Sequence, residues 1–279
     1  MLTTKPYTMK QFIIFLFAVL VSFSGCKEQK LPERTHMYFF TPYNEYHNGK
    51  LKSVKEENFW VVEKDGQIEK GRLVTDKDRE DSSAWTGDFE AFYNEDGIVI
   101  RVDYFNDARS IEDFWVTTIE NNKITRADWT EKDTAQFYSK ISYDDQGNIK
   151  ESKRYRTIND TLLNTYTYKT DENGNIIETV AQNHLGEMTY KYILQINQEG
   201  LVTEQKDLVK GDSLTYLRRN TYNDKGFIIT DDIYDGEENL TDSYRLEYTD
   251  YNDNGSWLKV IYYRKDKPFI ITERTYTYY

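Results

Sequence analysis

Six residues near the C-terminus have the types and spacing of half a calcium-binding loop. The run is Asp-Tyr-Asn-Asp-Asn-Gly at residues 250–255, with side-chain oxygens at alternate positions before a glycine. Calcium loops of this kind also supply a bidentate glutamate from their twelfth position. Ile261 stands there instead, and the glycine coincides with a turn that recurs along the chain. The run therefore favours a plain turn, and we predict no metal ion and no other cofactor.

Other kinds of catalytic site have little support in the sequence. His36, His47 and His184 lie far apart, whereas zinc ligands occur in closely spaced pairs. The Gly-x-Ser-x-Gly run that marks one class of serine hydrolases does not occur. The chain has 48 acidic residues, so two carboxylates at glycosidase spacing would be expected by chance. We predict a binding protein without catalytic activity and keep a carboxylate-dependent glycan hydrolase as the alternative.

Aromatic side chains are the best candidates for ligand contact. The chain has 24 tyrosines and five tryptophans, and rings spaced along a sheet can form a flat platform for sugar rings. The candidate ligand-binding residues are Trp85, Trp115, Trp129 and Trp257. The alternative, which the regular spacing of the tyrosines favours, is that these rings form the core and the cross-strand contacts of a tyrosine-rich sheet.

The N-terminus has the pattern of an export signal. Lys5 and Lys10 precede an uncharged apolar run at residues 12–23, which is shorter than the roughly 20 residues of a transmembrane helix. Phe-Ser-Gly-Cys at residues 23–26 resembles the lipobox of bacterial lipoproteins. The resemblance implies that Cys26, the only cysteine, becomes the lipid-modified first residue of the mature protein. The alternative is an ordinary secretory signal with a chance cysteine.

This interpretation divides the chain into three parts. Residues 1–25 are the signal peptide, 26–35 a lipid-anchored tether, and 36–279 a single β-repeat domain, whose clearest repeats span 137–279. We predict anchoring to the outer membrane through the lipid on Cys26, on its periplasmic face or at the cell surface. The membrane is thus one predicted partner, and the ligand is a glycan or another protein of the cell envelope.

Composition argues against nucleic acid as a partner. The formal net charge is −12, and removal of the signal peptide with its two lysines makes it −14. A phosphate-binding surface needs clustered Lys and Arg, whereas basic residues here are scattered among more numerous carboxylates. Aromatic residues make up 15% of the chain, which argues against disorder despite the high charge.

The chain is organised around recurring turns. Eight glycines follow a turn-prone or polar residue: Gly49, Gly66, Gly97, Gly147, Gly174, Gly200, Gly226 and Gly255. From Gly147 onward they are 27, 26, 26 and 29 residues apart, which allows two strands and two turns in each period. An apolar residue stands two positions after every one of them, and most have another eight positions after. We therefore predict that these two positions lie on one face of the returning strand.

The run Tyr143-Asp144-Asp145-Gln146-Gly147-Asn148-Ile149 resembles the core of YD (Rhs-type) repeats. Weaker copies begin at Tyr222 and Tyr251. The resemblance implies an all-β fold, an antiparallel β-meander of repeated hairpins with a period of about 26 residues. We predict a twisted or curled open sheet. The function predicted from anchor, repeats and composition is that of a lipid-anchored cell-envelope binding protein.

Overall fold

The computed structural model describes residues 49–81 and 87–279, which form one antiparallel sheet of 17 strands and one short helix. The first elements are β1 (Leu51–Lys64), β2 (Gln67–Leu73), α1 (Asp76–Asp81), β3 (Phe89–Tyr93), β4 (Val99–Phe105), β5 (Ile111–Glu120), β6 (Lys123–Glu131), β7 (Thr134–Tyr143) and β8 (Ile149–Arg156). The others are β9 (Thr161–Thr170), β10 (Ile176–Asn183), β11 (Met188–Ile196), β12 (Val202–Val209), β13 (Ser213–Tyr222), β14 (Ile228–Asp235), β15 (Leu240–Tyr251), β16 (Trp257–Arg264) and β17 (Lys267–Tyr278). In the described ranges no helix is both long and apolar enough to span a bilayer.

The recurring glycines mark hairpin turns that share one local structure. Between β7 and β8 the Asp144 carboxylate accepts hydrogen bonds from the backbone N–H groups of Gln146 (3.0 Å) and Asn148 (2.8 Å). Gly147 has a φ of +92°, which favours a residue without a Cβ atom. Asp and Asn stabilise turns in this way because their short side chains reach the N–H two residues on. The predicted turns are confirmed here.

The calcium-like run at residues 250–255 is one of these turns. The Asn252 side-chain oxygen accepts hydrogen bonds from the N–H groups of Asn254 (3.0 Å) and Ser256 (2.9 Å). The same arrangement begins at Asn94, Asp171 and Asn223. The side-chain oxygen of Asn252 therefore acts within the turn itself.

Tyrosines connect each hairpin to the one before it. The Tyr143 hydroxyl, four residues before a turn glycine, donates to the carbonyl of Ile124 on β6 at 2.9 Å. Tyr222 donates in the same way to Val202 on β12 at 2.6 Å. Equivalent bonds join Tyr248 to Ile228 and Tyr276 to Trp257, both at 3.0 Å. Each such bond contributes on the order of 1 kcal/mol, so the repeated tyrosine stabilises the order of the hairpins.

A β-bulge follows six of the recurring glycine turns. In the β7–β8 hairpin Tyr143 pairs with Ile149 and Ser142 pairs with Glu151. Lys150 of β8 is therefore the extra residue of the bulge. The same shift occurs between β3 and β4, β9 and β10, β11 and β12, β13 and β14, and β15 and β16. An extra residue moves every later side chain to the opposite face. The prediction that positions two and eight after the glycine share a face is therefore wrong, since Ile149 and Tyr155 lie on opposite faces.

The sheet closes on itself, so the predicted open sheet is also wrong. Strand β1 pairs with β17 along one edge and with β3 along the other, while its C-terminal part pairs with β2 as a separate hairpin. Each strand from β3 to β17 pairs with the next, which makes a closed barrel of 16 strands with β2 outside the ring. Closure pairs both edges of each strand in the ring, whereas an open sheet has a row of unpaired backbone N–H and C=O groups at both edges.

Alternate residues of each strand face the inside and the outside of the barrel. The inner wall carries many fully buried small side chains, including Ala91, Ala127 and Ala181, all with 0% exposure. The outer wall carries rows of ion pairs between neighbouring residues of one face. Examples are Arg126–Asp128 (2.6 Å), Lys153–Glu151 (2.8 Å), Lys206–Glu204 (3.2 Å) and Arg245–Glu247 (3.1 Å). The barrel thus has a charged exterior and an interior rich in aromatic residues.

Candidate functional site

Eight side chains form a continuous row on the inner wall, which we call the belt. Its members, in order of contact, are Tyr104, Trp129, Trp115, Phe137, Arg154, Tyr166, Tyr190 and Tyr192. They lie on seven strands between β4 and β11, and each contacts the next. All are partly exposed rather than fully buried. The row therefore presents aromatic surface to the barrel interior.

The first half of the belt is a cluster around Trp129. The ring of Trp129 lies 5.0 Å from that of Trp115, 5.8 Å from Tyr104 and 6.1 Å from Phe137, and it is nearly parallel to Phe137. Trp115, Trp129 and Phe137 are directly opposite one another in the register of β5, β6 and β7. Aromatic pairs at such distances contribute about 0.5–1.5 kcal/mol each beyond the area they bury.

The second half of the belt runs from Arg154 to Tyr192. The Arg154 guanidinium lies 4.5 Å from the ring centre of Phe137 and 5.3 Å from that of Tyr166. Tyr166 and Tyr190 are 6.3 Å apart although β10 lies between them. They meet because Ala181, the residue of β10 that faces both of them, has only a methyl group. Tyr190 then contacts Tyr192 at 4.9 Å.

A carboxyl group stands beside each end of the belt. Asp113 lies opposite Tyr104, and its pKa is raised by burial and by the nearby charges of Glu112 and Glu131. Burial, with the charge of Asp113, raises the pKa of Tyr104 to about 12. Asp207 lies opposite Tyr192, and burial raises its pKa as well.

Polar groups extend the inner wall beyond Tyr192. The side-chain nitrogen of Gln205 donates to Asp207 at 2.7 Å, and that of Asn220 donates to the carbonyl of Val202 at 3.2 Å. The amide oxygens of Gln205 and Asn220 are buried without a hydrogen-bond partner in the described part of the chain. Such oxygens are acceptors for a ligand or for water.

The structure brings together two of the four predicted ligand-binding residues. Trp115 and Trp129 are neighbours in the belt. Trp257 is 5% exposed and packs against Tyr248 and under the Arg274 guanidinium, so it belongs to the core, as the alternative interpretation of the aromatics predicts. Trp85 lies outside the described residues, and so does Cys26, whose lipidation stays a prediction.

Six members of the belt were missed by sequence reasoning. Tyr166 stands in an alternating Thr-Tyr-Thr-Tyr run, a pattern that does predict a strand with aromatic rings on one face. Because a bulge follows the turn, the sequence alone does not show which residues of the returning strand lie on the same face as Tyr166. Without the register, tyrosines of the belt cannot be told from those that join hairpins.

Carboxylates elsewhere on the inner wall are paired with arginines. Arg218 binds Asp231, and Arg274 binds Glu56 at 2.7 Å. Arg264 binds Asp242, whose pKa is lowered because the hydrogen bonds from Arg264 and Tyr244 outweigh the effect of burial. Over the described ranges, no group of three or more His, Cys, Asp or Glu side chains is placed to hold a metal ion. These acids therefore stabilise the wall as ion pairs.

No family model and no curated protein matches the chain. Among solved structures it is similar to a porin-like protein from Bacteroides uniformis ATCC 8492, with a TM-score of 0.50 and 10% identity over 82% of this chain and 98% of that one. It is also similar to part of a TcdB2–TccC3–Cdc42 structure, with a TM-score of 0.33 and 9% identity over 81% of this chain and 12% of that one. The first likeness supports the barrel fold and nothing further. The TM-score of the second is too low to support a shared fold. The resemblance to YD repeats thus rests on sequence motifs.

Proposed function

We propose that the protein is a lipid-anchored component of the cell envelope that binds a glycan on the belt without turning it over. The observation that supports this is the continuous, partly exposed row of rings on the inner wall of a closed barrel. Barrels of about 16 strands enclose more space than their wall side chains fill. Sugar rings offer flat C–H faces that stack on aromatic rings, and the polar groups beyond Tyr192 would meet sugar hydroxyls. Another envelope protein as ligand remains the alternative.

We propose further that the barrel lies in water and is held at the membrane by the lipid on Cys26. A fold like that of a porin-like protein is compatible with the outer membrane. However, a barrel that spans a bilayer has an apolar outer band about 25 Å tall. Here ion pairs such as Lys153–Glu151 lie in the middle of the outer wall, and each Lys or Arg would cost about 2–4 kcal/mol at the bilayer midplane.

Exchange of the leader tests this placement. When residues 1–30 are replaced by a cleavable secretory signal without cysteine, we expect the protein to move from the membrane fraction to the periplasmic or culture fluid, because nothing else in its outer wall holds it in lipid. Fractionation with immunoblotting measures the change, and the unaltered chain is the control. Retention of the exchanged protein in the membrane, resistant to high salt and carbonate, would show that the barrel itself is inserted.

Substitution of Trp129 tests the binding site. Residues 31–279 are screened on a glycan array, and the best ligand is titrated by calorimetry against the unaltered barrel and Trp129→Leu. We expect at least a tenfold loss of affinity, about 1.4 kcal/mol, because Trp129 contacts three other belt rings. Phe114→Leu is the matched control, since Phe114 neighbours Trp115 but faces outward.

Product analysis in the same samples separates binding from hydrolysis. Saturable binding without release of smaller sugars supports the proposal. Release of products would favour the hydrolase alternative and direct attention to Asp113 and to Glu131, which lies opposite it in the register of β5 and β6. If no glycan binds, the belt proposal is wrong and an envelope protein becomes the leading ligand, to be sought by pull-down from native outer membranes.

A further inference from the structure

The inner side of strands β7 to β11 differs in charge from the protein as a whole. Strands β7 to β11 contain two acidic residues, Glu151 and Glu178, and both face outward, where they pair with Lys153 (2.8 Å) and Lys191 (3.4 Å). The inner side of these five strands therefore has no carboxylate. It does carry Arg154, in the middle of the belt.

Arg154 differs from the other arginines of the inner wall. Arg218, Arg264 and Arg274 each bind a carboxylate. Among the described residues no carboxylate pairs with Arg154, and its Nε atom is buried without a hydrogen-bond partner. The residues opposite it are the uncharged Ser139 and Asn164. A buried donor left without a partner is costly, and a bound ion or ligand group that accepts its hydrogen bond removes that cost.

The rings on either side hold the guanidinium in place. Arg154 lies against Phe137 at 4.5 Å and Tyr166 at 5.3 Å, contacts that favour a cation but occupy none of its hydrogen-bond donors. A planar guanidinium held in this way matches a carboxylate or a sulfate, which can accept two parallel hydrogen bonds. Rings on both sides of it supply stacking surface for the sugar that carries such a group.

We propose that the ligand of the belt is an acidic oligosaccharide and that Arg154 binds its carboxylate or sulfate group. This inference rests on the proposed glycan-binding function and specifies its ligand. The anion replaces the missing partner of Arg154, while the sugar rings stack on Phe137, Tyr166 and the tryptophans. Selectivity for acidic over neutral glycans then comes from one charge in a wall section that lacks carboxylates.

The test compares matched acidic and neutral ligands. Residues 31–279 are titrated with an oligogalacturonide, with its carboxyl-reduced neutral form and with a chondroitin sulfate oligosaccharide. We expect the best acidic ligand to bind at least tenfold more tightly than the neutral form in 50 mM salt, and this preference to weaken as salt rises. Arg154→Gln should abolish the preference and the salt dependence, and Arg154→Lys should restore part of both.

Control variants separate this inference from the general proposal. Arg245→Gln removes a cation of the outer wall and should leave binding unchanged. Arg154→Gln should melt only slightly lower than the unaltered barrel, because Arg154 loses two ring contacts but no ion pair. Equal affinity for acidic and neutral ligands, unchanged in Arg154→Gln, would overturn the role of Arg154 but keep glycan binding. Failure of every acidic and neutral glycan to bind would overturn both.

Discussion

Replacement of Arg274 by alanine is expected to lower the free energy of unfolding by about 3–5 kcal/mol, the usual cost of breaking a buried ion pair by removing one of its two members. Arg274 and Glu56 join β17 to β1, the contact that closes the barrel, and their side chains are only 7% and 9% exposed. The Arg274 guanidinium also lies 4.1 Å from the ring centre of Trp257. Loss of Arg274 removes an ion pair and a ring contact at the junction of β17 and β1, which we call the seam. Urea unfolding followed by tryptophan fluorescence measures the change.

Two further variants show whether the buried charge is the cause. Glu56→Leu with Arg274→Met removes both charges of this pair together, so we expect much of the stability to return. Arg245→Ala removes an exposed partner of Glu247 on the outer wall and should change the unfolding free energy by less than about 1 kcal/mol. A cost for Arg274→Ala as small as that for Arg245→Ala would mean that the seam does not depend on this pair.

The same seam explains why the sequence predicts strands and turns but not closure. Hairpin signals are local: Asp144 and Gly147 act within one turn, and Tyr143 reaches only the neighbouring strand. Closure depends on partners more than 200 residues apart, such as Asn58 and Thr272, whose side chains are hydrogen-bonded at 2.6 Å. In the sequence both are ordinary polar residues, and neither shows which residue it will bond to. The local sequences of β1 and β17 do not show whether these strands are the two free edges of an open sheet or pair with each other.

The belt was only partly predictable for a related reason. Trp115 and Trp129 were selected by residue type, but Trp257 has the same type and belongs to the core. The difference between them lies in packing, because Trp257 is covered by Arg274 and Tyr248, whereas Trp115 and Trp129 keep part of their ring surface exposed. The sequence around Arg154 gave no indication of a role. Arg154 is distinguished by the lack of a carboxylate near it on the inner wall of the described strands. This feature can be recognised only after residues have been assigned to the inner or outer face.

Substitution of Ala181 by leucine is expected to separate the rings of Tyr166 and Tyr190 and so to interrupt the belt. Ala181 is 0% exposed and lies between Tyr166 and Tyr190, whose rings meet only because its side chain is small. A larger side chain must push the two rings apart, at a cost to stability of about 1–3 kcal/mol for an overpacked site. For a glycan long enough to reach from Phe137 to Tyr192, we expect at least a tenfold loss of affinity. Shorter glycans that contact only the Trp129 cluster should bind nearly as before.

This dependence on ligand length is what distinguishes a continuous belt from separate aromatic clusters. Calorimetric titration of Ala181→Leu with a length series of the best ligand measures it, at a temperature where the variant is fully folded. Ala135→Leu is the matched control, because it makes the same change at an exposed position of β7. If Ala181→Leu weakens long and short glycans equally, the rings act through the general stability of the wall. If it weakens neither, the ligand contacts no more than one side of β10, and the belt is two sites.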